Sequence, residues 1–281
     1  HPHPHKDPPE HTELPLSSVV SVNMSGYDVS VNTYSPEGRV FQVEYAAKAV
    51  DNSGTAVGLR CCDGVVLGVE KLVVSKMLVE GSNRRIFNVD KHVGMACSGF
   101  VADARQLVNR ARVECTNFSS VYGEVIPGKV LCERIASLVH FYTQYWAVRP
   151  FGCSVMLATK DKHGAKLFMI DPSGCAYGYS GCATGKARQA AKTEIEMLDL
   201  ERMTCREATI AIGKMIYKLH DAKDKDFELE MSWLCEESNW VHTLVPADVL
   251  EEAKAAGVAV TKETSDESSM DVDNGEGSSS S

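Results

Sequence analysis

Short apolar segments rich in β-branched residues alternate along this chain with pairs of long amphipathic patterns. The segments predicted as strands are 55–61, 65–69, 93–98, 154–158, 166–170, 175–179 and 227–234. Asp63-Gly64 stands between the first two, which is typical of a β-hairpin. Because hairpins rather than single crossovers join these strands, the sheets are predicted to be mainly antiparallel.

The amphipathic patterns have the spacing of helices that are buried on one face. They cover residues 100–118, 131–146, 187–198 and 205–219, and a last helix is predicted after Pro246. Arg149-Pro150 is predicted to end the second of them. The order is therefore strands, two helices, strands, two helices and a strand. Two stacked sheets with helix pairs outside fit this order better than a doubly wound parallel fold. The predicted fold class is α+β, a four-layer αββα sandwich of two antiparallel sheets.

The two ends of the chain differ in composition from its middle. Residues 1–23 hold five of the ten prolines and four of the nine histidines, and proline at this density resists helix and sheet alike. We expect residues 1–25 to be a disordered extension, which is not native if translation starts at Met24. Residues 258–281 are polar, acidic and rich in serine, so a disordered tail is predicted there. The predicted folded domain covers residues 26–257.

Charge and hydrophobicity argue against two classes of partner. The net charge is −9, and residues 261–281 contribute −5 of it through six acidic residues and one lysine. No basic block is present to neutralise phosphates, which argues against nucleic acid. No apolar run approaches the roughly 20 residues that span a bilayer, which argues against a membrane.

Ten cysteines are scattered through apolar segments, and none forms a C-x-x-C pair. Buried reduced thiols, disulfides and a zinc site are the alternatives, and the scattering favours reduced thiols in an intracellular protein. The histidines lack the H-x-x-x-H spacing that could hold a metal on one helix face. No metal and no cofactor are therefore expected.

The segment Gly181–Arg188, GCATGKAR, invites comparison with a phosphate-binding loop. That motif needs four residues before Gly-Lys and a hydroxyl side chain after it, whereas here three residues intervene and Ala187 follows the lysine. A turn from a strand into a helix is the preferred interpretation. No G-x-S-x-G nucleophile elbow is present, although the spacing of serine, histidine and aspartate cannot by itself exclude a triad.

A helix predicted after the turn Ser35–Gly38 is apolar on more than one side. Its two stripes at helical spacing are Val40, Val43, Ala47 and Val50, and Phe41, Tyr45 and Ala49. A surface helix normally has one apolar stripe, so this helix needs a contact on two sides. Burial of both sides within this chain would need a further layer over the helix, and no segment is left over to provide one.

Several segments together identify a family. They are YDVSVNTYSPEGRVFQVEYA (Tyr27–Ala46), GVEKLV (Gly68–Val73), GFVADAR (Gly99–Arg105), RPFGCS (Arg149–Ser154) and GKARQAAKTEIE (Gly185–Glu196). The chain resembles the alpha subunits of the proteasome core particle from about Tyr27 to Glu237. The resemblance implies the fold of the N-terminal-nucleophile hydrolases and a place in a seven-membered ring. In this family the helix after Ser-Pro-x-Gly lies on top of the sandwich, at contacts between neighbouring subunits.

The family contains both peptidases and inactive subunits, so activity must be judged from the residues that occupy the catalytic positions. Active members use an N-terminal threonine, whose hydroxyl attacks the peptide. The resemblance places Gly54 at that position and Thr55 one residue later. It places Glu70 at the supporting aspartate, and Arg85 or Ile86 near the supporting lysine. Arginine stays protonated and is a poor base. We therefore expect no catalytic residue. The alternative is an active N-terminal-nucleophile amidohydrolase or beta-type peptidase.

The resemblance also implies site residues for gating. Tyr27, Asp28, Pro36 and Tyr45 match the four positions that hold the N-terminal tails of similar subunits in an open-gate cluster. Proline fixes the turn, and two phenols with a carboxylate can form hydrogen bonds between neighbouring tails. The alternative for each residue alone is an ordinary turn or packing role.

A second site that the resemblance implies is a pocket for the C-terminal tails of activators. Arg85 takes the place of the lysine that binds the terminal carboxylate. Glu44 matches a second position, and Ser53 replaces a glycine. Arginine can pair with a carboxylate through two hydrogen bonds, but its reach differs from that of lysine. Weak docking at this pocket is expected.

The remaining expectations concern partners, location and modification. The resemblance implies contacts with other alpha and beta subunits and with regulatory particles, and a location in cytoplasm and nucleus. Thr264 and Ser268 each have an acidic residue three positions later, which suits acid-directed kinases. Phosphate would add about −1.5 to −2 charges at each site. An unmodified solubilising tail is the alternative.

Overall fold

Two antiparallel sheets form the centre of the molecule. The computed structural model describes residues 28–79, 81–221 and 224–273, with side chains up to Lys262. Within these residues the strands are β1 (Ala56–Arg60), β2 (Gly64–Leu72), β3 (Ile86–Asp90), β4 (Val93–Gly99), β5 (Cys153–Asp161), β6 (Gly164–Ile170), β7 (Ala176–Tyr179), β8 (Gly181–Thr184), β9 (Phe227–Cys235) and β10 (Thr243–Leu244). The sheet orders are β10-β9-β2-β1-β8 and β3-β4-β5-β6-β7, and every neighbouring pair is antiparallel.

Helices cover the outer face of each sheet. The helices of the described residues are α1 (Phe41–Asp51), α2 (Val101–Tyr122), α3 (Gly128–Phe141), α4 (Arg188–Glu196), α5 (Cys205–Leu219) and α6 (Ala247–Asp273), and all but α1 belong to these outer layers. Helices α2 and α3 pack on the β3–β7 sheet, α4 and α5 pack on the other sheet, and α6 packs on α5. The order of layers is helix, sheet, sheet, helix, so the predicted αββα sandwich and its α+β class are confirmed.

Three apolar clusters fill the spaces between these layers. One lies between the two sheets and includes Leu67, Met156 and Leu167. The other two lie between each sheet and its helices, around Leu107 and Ile135 on one side and around Ile212 and Trp233 on the other. The outward side chains of both sheets are therefore buried as well. Strand β2 accordingly is apolar on both faces and is buried from Gly64 to Lys71.

Local signals in the sequence explain several of the boundaries. Thr204 and Glu207 form a reciprocal capping box at the start of α5, which satisfies backbone N–H groups there. Gly123 ends α2 in the left-handed conformation, at φ 70°. The hairpin predicted at Asp63-Gly64 joins β1 to β2, with Arg60 opposite Val65. The Gly181–Arg188 segment is a strand followed by a helix, as predicted.

The predicted end of the second helix pattern was wrong. Helix α3 ends at Phe141 rather than at Arg149-Pro150, and Trp146 is 83% exposed. Beyond Phe141 the backbone hydrogen bonds join residues three positions apart instead of four, and Thr143 N–H donates to the His140 carbonyl at 2.9 Å. The Thr143 hydroxyl also donates to that carbonyl at 2.7 Å. This competition by a side chain ends the helix before its apolar spacing does.

Helix α6 crosses the predicted end of the folded domain at residue 257, and that boundary stays a prediction. Helix α6 continues to Asp273, into the segment predicted to be a disordered tail. Val258 to Asp273 contain neither proline nor glycine, and Asn274-Gly275 is the first strong stop signal. The short strands β3, β8 and β10 were missed, because two to five residues carry too little pattern. The predicted N-terminal extension, residues 1–25, lies outside the described residues.

Candidate functional site

Helix α1 lies across one end of the sandwich, where it packs on β4 and β5. Within this chain only Ala46 and Val50 of the helix are buried, and Tyr45 is 41% exposed. The ring of Phe41 stacks on that of Tyr45 with a centroid separation of 6.4 Å. One apolar stripe thus faces the sandwich, while part of the second stripe stays uncovered in the single chain.

The turn that precedes α1 is held by its own backbone. Gly38 N–H donates to the Ser35 carbonyl at 2.8 Å, and Arg39 N–H donates to the Ser35 hydroxyl at 3.1 Å. Pro36 occupies the second turn position, where its fixed φ is favourable, and Gly38 has a φ of 76°. The Ser-Pro-x-Gly sequence therefore sets the direction in which the chain enters the helix.

Three of the predicted gate residues, Asp28, Pro36 and Tyr45, belong to the described part of this segment, and no hydrogen bond joins them there. Tyr27 lies outside the described residues. The Asp28 carbonyl accepts a hydrogen bond from the Gln42 side chain, which ties the segment to α1. Pro36 is exposed in the turn, and Tyr45 lies on the helix with the Lys48 ammonium 5.5 Å from its ring. Among the described residues, no side-chain hydrogen bond is formed by the Asp28 carboxylate or the Tyr45 hydroxyl. Both groups can therefore bond to a neighbouring chain.

Glu44, from the predicted activator pocket, is paired within its own chain. Arg39 Nε donates to Glu44 Oε1 at 2.7 Å, and a second guanidinium nitrogen reaches the other oxygen. The hydrogen bond from Arg39 lowers the pKa of Glu44. Both residues line an open groove of about 660 Å³, which continues to His140 and Ser173. Glu44 thus faces the groove beside the turn.

Ser53 and Arg85, the other two predicted pocket residues, meet at Gly99. Gly99 N–H donates to the Ser53 hydroxyl at 2.7 Å, and Arg85 Nη1 donates to the Gly99 carbonyl at 2.5 Å. Glu44 precedes Ser53 by nine residues, which is about 13 Å along a helix axis. Within one chain the structure therefore brings Ser53 and Arg85 together, but it leaves Glu44 at the other end of α1.

The Arg85 site includes a carboxylate that the sequence analysis missed. Glu230 on β9 accepts a hydrogen bond from the Arg85 N–H at 2.8 Å. Burial raises the pKa of Glu230, against the opposing effect of that hydrogen bond and of Lys71. The two residues are 145 positions apart, so no local signal could have paired them.

The position of a nucleophile in active relatives is filled by backbone. A Cβ atom on Gly54 would lie 2.1 Å from the Glu70 carbonyl oxygen, so no side chain fits there. The Gly54 carbonyl accepts a hydrogen bond from the Ser98 hydroxyl at 2.9 Å. Thr55 is 2% exposed, and its hydroxyl accepts a bond from Ala187 N–H at 3.2 Å. Thr55 is thus a buried structural residue.

Glu70 stabilises this backbone from the opposite side. Its Oε2 accepts the Thr55 N–H at 2.8 Å, and His220 Nδ1 donates to its Oε1 at 2.6 Å. The carboxylate is buried, and its two oxygens are occupied by these donors. The sequence analysis identified Glu70, but it did not identify Ser98 or His220, which the tertiary fold brings to the site.

Two kinds of site can be assessed for the described part of the chain. No helix there is long and apolar enough to cross a membrane. No group of three or more histidine, cysteine, aspartate or glutamate side chains is arranged there to hold a metal ion. Thr264 and Ser268 lie in α6 beyond the last described side chain, so their predicted phosphorylation has no structural account.

Comparison with known proteins gives consistent matches. Residues 50–234 match the proteasome subunit family, and residues 27–49 match the N-terminal signature of A-type proteasome subunits. The alpha type-3 proteasome subunit of Spinacia oleracea is 61% identical over 240 residues, covering 85% of this chain and 96% of that protein. The Drosophila melanogaster protein of that name is 46% identical over 241 residues, covering 85% and 95%. The probable alpha type-7 proteasome subunit of Saccharomyces cerevisiae is 48% identical over 234 residues, covering 82% and 81%.

Proposed function

This chain belongs to the proteasome subunit family and is of its alpha type, and we propose that it helps to gate the passage of substrates into the core particle. The segment Glu80–Ala96 and the acidic tail resemble the alpha type-three subunit, also called alpha-seven, and the relatives of that type confirm this prediction. Alpha-type subunits form the non-catalytic ring of the core. The chain is therefore a structural subunit that assembles with other proteasome subunits.

The alternative, an active amidohydrolase or beta-type peptidase, is not favoured. The Glu70 carbonyl occupies the space that a nucleophilic side chain at position 54 would need. The hydrogen bonds of Thr55 and Glu70 use the polar groups that a catalytic centre would leave available.

The gating proposal rests on the unpaired polar groups before and on α1. The Asp28 carboxylate and the exposed Tyr45 hydroxyl form no hydrogen bond within the described residues, while Pro36 fixes the turn between them. Together with Tyr27 they match the family positions that join neighbouring tails. A phenol and a carboxylate presented in this way can bond across a subunit boundary, which would hold the tails away from the pore.

The test is a reconstituted particle that carries Tyr45→Phe in this subunit. Loss of the hydroxyl should lower the peptide hydrolysis stimulated by an activator at least about threefold, in line with one lost hydrogen bond. Tyr34→Phe is the matched control, because Tyr34 is 70% exposed in the same segment and is not a gate position. Equal stimulation of both variants and wild type would show that the Tyr45 hydroxyl takes no part in gating.

Docking of regulatory particles at Arg85, Ser53 and Glu44 belongs to the same proposal. The Arg85 guanidinium already donates to the Gly99 carbonyl, and Glu44 is paired with Arg39. Both contacts compete with an incoming carboxylate, which supports weak docking at this pocket. A location in cytoplasm and nucleus and phosphorylation at Thr264 and Ser268 also remain proposals. Fractionation and phosphopeptide mapping of cells would test them.

A further inference from the structure

A cavity of about 370 Å³ lies beside the ends of β1 and β5, which belong to different sheets. Separate segments of the chain form its wall, and they contribute Arg60 from β1, Lys160 from β5, Ser180 from the β7–β8 connection, Glu201 from the α4–α5 connection and Trp240 from the turn after β9. The volume is within the range of pockets that hold small molecules. This space is called the Trp240 cavity below.

Two basic side chains of the Trp240 cavity have no acidic partner. Among the described residues, neither Arg60 nor Lys160 forms a salt bridge. Arg60 Nη2 donates to the Ser180 hydroxyl at 3.2 Å, and the Lys160 ammonium donates to the Asp161 carbonyl at 3.1 Å. The Asp161 carboxylate is paired instead with the Lys166 ammonium at 3.0 Å. The remaining N–H groups of Arg60 and Lys160 are therefore available to an anion.

The turn after β9 holds Trp240 in a backbone conformation that is unusual for a large side chain. Asn239 and Trp240 have φ angles of 52° and 57°, a region in which asparagine is common but tryptophan is not. Trp240 N–H donates to the Cys235 carbonyl at 2.9 Å, which maintains this conformation. The indole ring lies beside the cation of Lys160, whose ammonium is 4.7 Å from the ring centroid. Backbone strain of this kind is concentrated at binding and catalytic sites.

We propose that the Trp240 cavity binds a small phosphate ester that carries hydroxyl groups, such as a sugar phosphate. Arg60 would bind the phosphate oxygens through two N–H groups, and Lys160 would supply a second positive charge. A phosphate ester carries about −1.5 to −2 charges near pH 7, which two cations match better than they match a single carboxylate.

The other two groups of the wall favour an ester over free phosphate. The Glu201 carboxylate would repel a bare phosphate ion but can accept hydrogen bonds from ligand hydroxyl groups. The Trp240 indole offers an apolar surface to the carbon atoms of a sugar. The proposed ligand therefore uses the cations, the carboxylate and the indole together, whereas free phosphate would use the cations alone.

The test uses the thiol of Cys62, which is exposed and also lines the Trp240 cavity. Alkylation of the intact particle by N-ethylmaleimide is followed by mass spectrometry of its peptides, at constant ionic strength. Cys175 is exposed and is not part of the cavity wall, so it is the internal reference. We expect saturating ribose 5-phosphate to slow alkylation of Cys62 at least about tenfold, because a bound ligand blocks access to the sulfur, and to leave Cys175 unchanged.

Inorganic phosphate and ribose distinguish the possible sources of the phosphate group. Inorganic phosphate should need at least about a tenfold higher concentration than ribose 5-phosphate for half protection of Cys62, and ribose alone should not protect it. Equal protection by inorganic phosphate would mean that the cavity holds free phosphate only, which would overturn the proposal. Alkylation of Cys62 at the same rate with and without ribose 5-phosphate would also overturn it.

Variants identify the groups that bind. Arg60→Gln and Lys160→Gln should each raise the ribose 5-phosphate concentration for half protection at least about tenfold. Trp240→Gly should also weaken protection while the particle still assembles, because glycine adopts a φ of 57° without strain. Lys162→Gln is the matched control, since Lys162 lies two residues from Lys160, pairs with Glu124 at 2.8 Å and is not part of the cavity wall. If Lys162→Gln weakens protection as much as Lys160→Gln does, the effect is one of general surface charge and the proposal is wrong.

Discussion

Thr55 N–H donates to the Glu70 carboxylate at 2.8 Å, and Glu70 N–H donates to the Thr55 carbonyl at the same distance. In active relatives the position of Glu70 holds an aspartate that supports a free N-terminal threonine. Here the carboxylate accepts a backbone N–H in the segment between α1 and β1. The same location in the fold therefore supports structure in this subunit rather than chemistry.

Gly54→Thr should not create a peptidase. The Cβ atom of the introduced threonine would lie 2.1 Å from the Glu70 carbonyl oxygen, so β1 and β2 would have to separate. We expect a loss of about 3 kcal/mol in the free energy of unfolding, or failure to assemble. Thermal denaturation and hydrolysis of fluorogenic peptides would measure both effects. Gly178→Ala is the control, since its nearest atom lies 3.6 Å away. Threonine-dependent hydrolysis by the Gly54 variant would contradict this account.

Arg149→Lys should weaken the link between the Gly99–Arg105 and Arg149–Ser154 segments. Arg149 donates two hydrogen bonds to Asp103, at 2.6 and 2.8 Å, and Asp103 also accepts Gly152 N–H at 2.9 Å. Lysine cannot form both bonds, so the free energy of unfolding should fall by about 1 kcal/mol. Urea denaturation would measure the change.

The control for Arg149→Lys is Arg202→Lys. Arg202 is 89% exposed, and its contact with Asp199 is 3.5 Å long, so this change should cost less than about 0.5 kcal/mol. Equal losses in the two variants would mean that the paired geometry at Asp103 contributes nothing to stability.

Arg85→Ala should change the affinity for the C-terminal peptide of an activator by less than about threefold, because the guanidinium is already bound to the Gly99 carbonyl. Fluorescence anisotropy with the assembled particle would measure the dissociation constant. A tenfold weakening, equal to about 1.4 kcal/mol, would show that Arg85 binds the carboxylate strongly.

His242 should make the fold sensitive to mild acid. Its Nδ1 donates to Asn88 Oδ1 at 2.6 Å, and the Ser232 hydroxyl donates to its Nε2 at 2.9 Å, so the ring joins the two sheets. Burial lowers the pKa of His242 from 6.5 to about 4. Above pH 6.5 the histidine is neutral in both the folded and the unfolded chain. Between pH 6.5 and 4 the unfolded chain binds the proton first, so this contribution to stability is lost as the pH falls.

The loss at His242 should reach about 3 kcal/mol near pH 4. Urea denaturation from pH 7.5 to 4 would be measured for wild type and for His242→Gln. The difference between the two proteins would separate the His242 contribution from that of the carboxylates that titrate in the same range. The variant should be less stable at pH 7.5, and its free energy of unfolding should depend less on pH. Parallel curves for the two proteins would show that His242 is not the sensitive group.

The sequence alone determined the α+β class, the αββα layers and most of the elements. Each of these follows from a period of two or 3.6 residues, or from a turn signal such as Asp63-Gly64, and such patterns are local. The motif from Tyr27 to Ala46 likewise identified the family and the candidate gate residues, because it is one continuous segment.

The tertiary structure alone decided which side chains meet. Gly99 lies between Ser53 and Arg85, and Glu70 contacts His220. These contacts join positions up to 150 residues apart, and periodicity carries no information about such pairs. The surface of α1 was decided at both levels, because the sequence predicted two apolar stripes and the fold left Tyr45 of the second stripe exposed.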